Sequence, residues 1–111
     1  MLDQAGAAQR AGDYAKAKDL YQKVLAQNSS NVEANGGLGD VARAQNDLAG
    51  AKAAYERALA ASPSYGPAQI GLADTEWDLG NKAKAKQTYA AIVDRLGDRA
   101  PERAKQRAQS E

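Results

Sequence analysis

The side chains able to do chemistry in this sequence are carboxylates, lysines, arginines, five tyrosines and one tryptophan, Trp77; histidine and cysteine are absent. That set lacks the common nucleophile–base pairs and the usual zinc ligands, and it leaves no thiol for a disulfide. The run Gly36-Gly37-Leu38-Gly39 has the composition of a phosphate loop but lacks the following lysine and hydroxyl. Asp13, Asp47 and Asp98 stand where helices would begin, and there a carboxylate serves the backbone as a cap. The sequence therefore predicts a non-enzyme with no catalytic residue, no metal and no cofactor.

Binding chemistry remains. Asp40 and Asp74 lie 34 residues apart, each inside a helical pattern where aspartate is a poor choice. They offer a negative stripe to a basic partner, at about 1 kcal/mol or less per exposed pair, or they pair locally, Asp40 with Arg43 for example. Trp77 is either a hot spot able to stack on an arginine or hold an apolar anchor, or a core residue packed near Ala104 and Ala108. Gly36, Gly37 and Gly71 each cost a helix about 0.5–1 kcal/mol relative to alanine. They mark a close approach, by a partner or by a neighbouring helix. Lys18, Lys52 and Lys86, joined by Lys16 and Lys84, form a basic row that reads as a solvated face. No aromatics interleave with it and the net charge is +1, so no nucleic-acid partner is expected.

Helices must carry these groups. About a quarter of the chain is alanine and there is no phenylalanine, a composition suited to thin, closely packed helices. Apolar residues at helical spacing predict helices over 2–11, 14–27, 32–45, 48–61, 66–78, 82–95 and 100–110. Gly12 ends the first as a left-handed cap residue, and Asp13 starts the second. Ser30 with Glu33 predicts a capping box at the third. Ser62-Pro63-Ser64 stops the fourth, Pro67 suits the first turn of the fifth, and Gly97-Asp98 is a further stop and cap. Connections this short make consecutive helices antiparallel neighbours.

One phrase recurs with a fixed period. Ala17-Lys18-Asp19-Leu20-Tyr21, Ala51-Lys52-Ala53-Ala54-Tyr55 and Ala85-Lys86-Gln87-Thr88-Tyr89 are spaced by 34 residues, each preceded by Gly12-Asp13-Tyr14, Asn46-Asp47-Leu48 or Gly80-Asn81-Lys82. A period in this range signals a stacked array. The chain resembles the tetratricopeptide repeat family over nearly its whole length. The family pattern is Trp-x2-Leu-Gly-x2-Tyr, then Ala-x3-Phe, then Pro. Residues 32–65 match best, with Leu38-Gly39, Ala51, Tyr55, Ala58 and Pro63. Residues 66–99 keep Leu72-Ala73, Gly80, Ala85 and Tyr89; residues 1–31 keep Ala17 and Tyr21 but hold Gln4-Ala5 in place of Leu-Gly. The tryptophan position holds Asn35 and Gln69, and the tyrosine position Ala42 and Glu76, so the first helix of each pair is smaller and more polar than the pattern.

The resemblance implies an all-α fold: three helix–turn–helix repeats (1–31, 32–65, 66–99) and a polar capping helix (100–110), wound as a right-handed α-solenoid. Small residues at Gly39, Ala73, Ala51 and Ala85 let paired helices approach, and the tyrosines fill the gaps between pairs. It further implies a concave face lined by the first helix of each pair, where a partner docks as an extended peptide or a helix. By register that face carries Glu33, Gly36, Gly37, Asp40, Arg43 and Ala44, then Ile70, Gly71, Asp74, Trp77 and Asp78, with Leu2, Gly6, Gln9 and Arg10 in the first repeat. Chaperone-binding members hold a carboxylate with lysine, asparagine and arginine at such positions; Gly36, Asp40, Ile70 and Asp74 imply no such clamp here.

The resulting expectation is a non-catalytic scaffold or adaptor module binding a basic and apolar protein segment. It forms one domain, residues 1–111, of a longer protein with sequence missing upstream. A leader and a membrane-spanning run are absent from the segment, so no membrane insertion and a cytoplasmic setting are expected. Alanine richness suggests a bacterial source. The rival expectation is structural self-association, with the incomplete first repeat as the sticky end.

Overall fold

The computed structural model describes residues 1–110. It contains seven α-helices in sequence: α1 (Leu2–Arg10), α2 (Tyr14–Gln27), α3 (Val32–Ala44), α4 (Leu48–Ala61), α5 (Gly66–Asp78), α6 (Lys82–Leu96) and α7 (Glu102–Gln109), with a 3-10 turn, Gly97–Arg99, before the last. Among the described residues there is no strand, and no helix is long and apolar enough to cross a membrane. Successive helices pack on one another, and α3 also touches α1 and α5. The array is therefore an all-α solenoid of helix pairs, α1–α2, α3–α4 and α5–α6, closed by α7.

The three tight turns within the pairs share one construction. Gly12, Asn46 and Gly80 adopt φ of 81°, 63° and 93°, the left-handed region in which glycine and asparagine are tolerated. Each N–H returns to the third residue before it, Gln9, Arg43 or Trp77. The next N–H, of Asp13, Asp47 or Asn81, returns to Ala8, Ala42 or Glu76. This double return satisfies carbonyls that the helix end leaves open. Asp13 then accepts from the Lys16 N–H and Asp47 from the Gly50 N–H, so a single short segment ends one helix and caps the next.

Two expected caps differ. The side chain that caps α3 is Asn31, whose Oδ1 accepts from the Ala34 N–H at 2.8 Å; Ser30 and Glu33 form no box, because the helix begins one residue later than that pairing requires. Asp98 does not cap α7. Gly97, at φ 58°, turns the chain into the 3-10 segment, and α7 starts after Pro101 with no side-chain cap.

The core is built mainly from alanines and three tyrosines, with Val41 and Ile92. Ala17, Ala51 and Ala85 are completely buried, and Tyr21, Tyr55 and Tyr89 are buried beside them. Alanine keeps the helix pairs close, and the tyrosine rings supply the apolar area that so thin a core otherwise lacks. The recurring phrase is thus a packing unit.

Candidate partner-binding surface

Tyrosine rings decide the fate of the helix-interior glycines. A Cβ on Gly37 would stand 2.2 Å from the Tyr21 ring, and one on Gly71 would stand 2.3 Å from the Tyr55 ring. Gly39 also abuts the Tyr55 ring, at 2.6 Å, and Gly36 approaches Tyr65 at 3.2 Å. Gly36, Gly37 and Gly71 are all buried. The space they make is filled by neighbouring aromatic rings, so these three of the expected docking residues present no cavity to a partner.

Three tyrosine hydroxyls, those of the recurring phrase, are anchored from the first helix of their own repeat. Tyr21 donates to Gln9 Oε1 at 2.9 Å, Tyr55 donates to Asp40, and Tyr89 donates to Asp74. In the last two cases the pair is separated by 15 residues. A buried phenol must place its hydrogen somewhere, and this gives both mid-helix aspartates a packing role. Desolvation and the Asp40 charge push the Tyr55 hydroxyl far above the ordinary range. Desolvation also raises Asp40 itself, against the hydrogen bonds from Tyr55 and Gln9 that lower it.

From there the two aspartates diverge. Asp40 is exposed, and among the described residues no lysine or arginine nitrogen pairs with its carboxylate. The expected Asp40–Arg43 pair is not formed, because Arg43 reaches forward to the next repeat, 3.7 Å from Asp74 and 3.4 Å from Asp78. Asp74 is 1% exposed. Its cover is α7: Arg103 donates to both carboxylate oxygens, and Arg107 bridges Asp74 and the Tyr89 hydroxyl. Asp74 is therefore no part of an open negative stripe; its partners are the arginines of α3 and α7.

Trp77 packs edge-on to Tyr89, with ring centroids 6.2 Å apart, and joins the small cluster of Ala73, Ala85, Tyr89, Ala104 and Ala108. It is only partly covered. The Arg107 guanidinium lies 4.8 Å from its centroid and Lys82 Nζ lies 5.0 Å away, so the ring has the packing expected near Ala104 and Ala108, and cations of the chain itself stack on it.

The accessible part of the face is accordingly narrower than the register implies. Asp40, Arg43, Ala44, Asn46, Leu48 and Asp78 line an open depression of about 420 Å³ where the end of α3, the turn into α4 and the end of α5 meet, and Ile70 is partly exposed on α5. Among the described residues no three histidine, cysteine or carboxylate side chains gather into a metal-binding group.

On the opposite side, the lysine row is not uniform. Lys52 Nζ lies 3.0 Å from the buried Glu76 carboxylate, which Lys84 approaches at 3.8 Å and to which Asn81 donates at 2.7 Å. Burial works to raise the Glu76 pKa, but Asn81, Lys52 and Lys84 together hold it below the ordinary value. One repeat earlier Ala42 replaces Glu76, and a cleft of about 170 Å³ opens beside Lys18, Gln45, Asp47 and Arg57. The Lys52–Glu76 tie was missed because the repeated lysines look equivalent. The departure at Glu76 was its only signal.

Two family models, both described as tetratricopeptide repeat, match residues 2–66 and 42–109. The chain belongs to the tetratricopeptide repeat family. Its members are generally protein–protein interaction modules and typically non-catalytic. No curated protein matches the chain significantly.

Proposed function

We propose that this chain is a non-catalytic docking module that takes a peptide or helix of a protein partner along the side formed by α1, α3 and α5. The observation that carries this reading is the open depression where the C-terminal ends of α3 and α5 meet the turn into α4, whose rim holds charge of both signs at Asp40, Arg43 and Asp78. Ile70 and Trp77, both only partly covered, add apolar area elsewhere on α5. An uncompensated carboxylate at Asp40 favours a partner segment that is basic as well as apolar, since a like charge brought to it would repel. Residues 1–111 then act as one interaction domain of a longer protein, with repeats at 1–31, 32–65 and 66–99 and the cap at 100–110.

Selection of short peptides from a displayed library against the immobilised chain tests the reading. Selected peptides should lose at least ten-fold in affinity on Asp40→Lys and on Ile70→Asp, and should be indifferent to Lys86→Glu on the lysine row. The reverse pattern would place docking on the second helices and overturn the proposal.

A further inference from the structure

The second and third repeats meet around a carboxylate, while the first and second meet around a cleft. At the later junction the Oε1 of buried Glu76 lies 3.0 Å from Lys52 Nζ and 3.8 Å from Lys84 Nζ, and Asn81 donates to its other oxygen at 2.7 Å. The positions 34 residues earlier are Ala42, Lys18, Gly50 and Asp47, and all four line the cleft of about 170 Å³ between α2 and α4. Arg57, whose counterpart at the later junction is Ala91, lines it too. Its Nε donates at 3.2 Å to the neutral Oδ1 of buried Asn35. Among the described residues no carboxylate pairs with Lys18 or Arg57, whereas Lys23 is paired with Asp19 and Lys52 with Glu76. The ionisable groups of the cleft are thus two cations and Asp47, whose Oδ1 accepts from the Gly50 N–H as the cap of α4.

We propose that this cleft is a docking surface for an acidic segment of a partner protein, which sets a glutamate over Ala42 between Lys18 and Arg57. It lies on the side opposite the face formed by α1, α3 and α5 and takes the opposite charge, so it goes beyond the docking reading and does not depend on it. Two observations carry it. The chain itself places a carboxylate at the equivalent position of the next junction, where two cations and an amide receive it. Independently, the cations of the cleft outnumber its one carboxylate and have no acidic partner of their own, which is the complement of an acidic segment. Volume decides between a free small molecule and a side chain. Small-molecule pockets generally enclose about 300–1,000 Å³; an open cleft of about 170 Å³ holds one side chain whose backbone stays outside. Lys18 and Gln22 on α2, with Gly50, Ala54 and Arg57 on α4, recur at intervals of three or four residues, so each set forms one helix face. The groove therefore runs lengthwise between the two helices, and Gly50 and Ala54 are too small to close it. Lys52, engaged by Glu76, ends the available basic surface toward α6.

The test is an amide NMR titration of the full chain with a peptide of alternating alanine and glutamate. Shifts should centre on Lys18, Ala42 and Gly50, and the same peptide with glutamine for glutamate should cause none. Lys18→Met should weaken binding about three- to five-fold, the scale of one partly exposed ion pair. Asp47→Asn should strengthen it by a similar factor, since Asn81 is the donor at the later junction and asparagine remains a good helix cap. Ala42→Glu should abolish binding by supplying the carboxylate in cis; if that variant does not fold, the exposed Lys18 decides. A glutamine peptide that binds equally well, shifts centred elsewhere, or a loss on Lys86→Glu as large as that on Lys18→Met overturns the inference. The single residue N-acetylglutamate methylamide should bind at least about ten-fold more weakly than the peptide, because a chain engages the groove at several points. Equal affinities would assign the cleft to a free carboxylate and overturn the protein partner. Acidic peptides report on this cleft and basic ones on the opposite face, so failure here with Asp40→Lys still releasing basic library peptides leaves the docking reading standing.

Discussion

The Tyr55 ring occupies the place where a side chain on Gly71 would have to go: a Cβ there would stand 2.3 Å from ring carbon Cζ. Because the Tyr55 hydroxyl is held by Asp40, the ring cannot swing aside without breaking that hydrogen bond. Gly71→Ala should therefore destabilise the fold by about 1–3 kcal/mol, the usual range for overpacking, despite alanine's better helix propensity. Gly6→Ala should do the opposite. Its Cβ would meet only the end of the Arg10 side chain, at 3.4 Å, and the propensity gain of about 0.5–1 kcal/mol is then free to appear. Urea denaturation of the two variants reads the opposite signs.

Lys18 and Lys52 hold the same place in the repeated phrase but differ in their surroundings. Lys52→Met should lower the urea midpoint at neutral pH, and Lys18→Met should leave it nearly unchanged. Glu76 has a depressed pKa, so its contribution is present above the ordinary glutamate range and is lost as pH falls through the folded-state value. The difference between the two variants should accordingly vanish in acid. A Lys18→Met effect as large as that of Lys52→Met would show that the ion pair is unimportant.

Tyr89 gives the alkaline counterpart. Desolvation, followed by its hydrogen bond to Asp74, pushes its hydroxyl from 10.0 up to about 12. The folded state then keeps a proton that the unfolded state gives up, and stability should fall as pH rises through the interval between those two values. Tyr89→Phe should flatten this fall in chemical denaturation at high pH. An unchanged slope would mean that the hydroxyl ionises as freely in the fold as in the unfolded chain.

The cleft beside Ala42 should accept a carboxylate as the neighbouring junction does. Ala42→Glu places an acid one repeat before Glu76 and within the reach of Lys18, and should stabilise by up to about 1 kcal/mol as a partly exposed pair. Gly50 and Asp47 stand in place of Lys84 and Asn81, which keeps the gain small. A double-mutant cycle with Lys18→Met checks it; zero coupling energy would disprove the equivalence of the two clefts.

Much of the fold was written locally and could be read locally. The bounds of the helices 14–27, 48–61 and 66–78 match expectation because Asp13, Asp47, Pro63 and Pro67 act on residues within one turn. The closing helix was expected from residue 100 and begins at Glu102, because the signal at Gly97-Asp98 described a 3-10 turn. The site was less legible. Gly37 and Gly71 announce a close approach but not its direction, which depends on a ring 16 residues earlier in each case. The recurring 15-residue spacing of Asp40–Tyr55 and Asp74–Tyr89 was the available clue to why an aspartate sits mid-helix. Nothing local to Asp74 foretold its burial, because Arg103 and Arg107 come from a polar helix whose own pattern reads as solvated.

The three junctions of the array are not equally fastened, and this gives the chain a direction under mechanical load. Lys52–Glu76 and Arg43 with Asp74 and Asp78 lock the second repeat to the third, and Arg103 and Arg107 lock the third to α7. Between the first repeat and the second, no ion pair crosses among the described residues, and the Ala42 cleft lies open. Stretched from its ends, such a molecule would shed α1 and α2 first, at low force, while the remaining two repeats stayed shut as a single clasp.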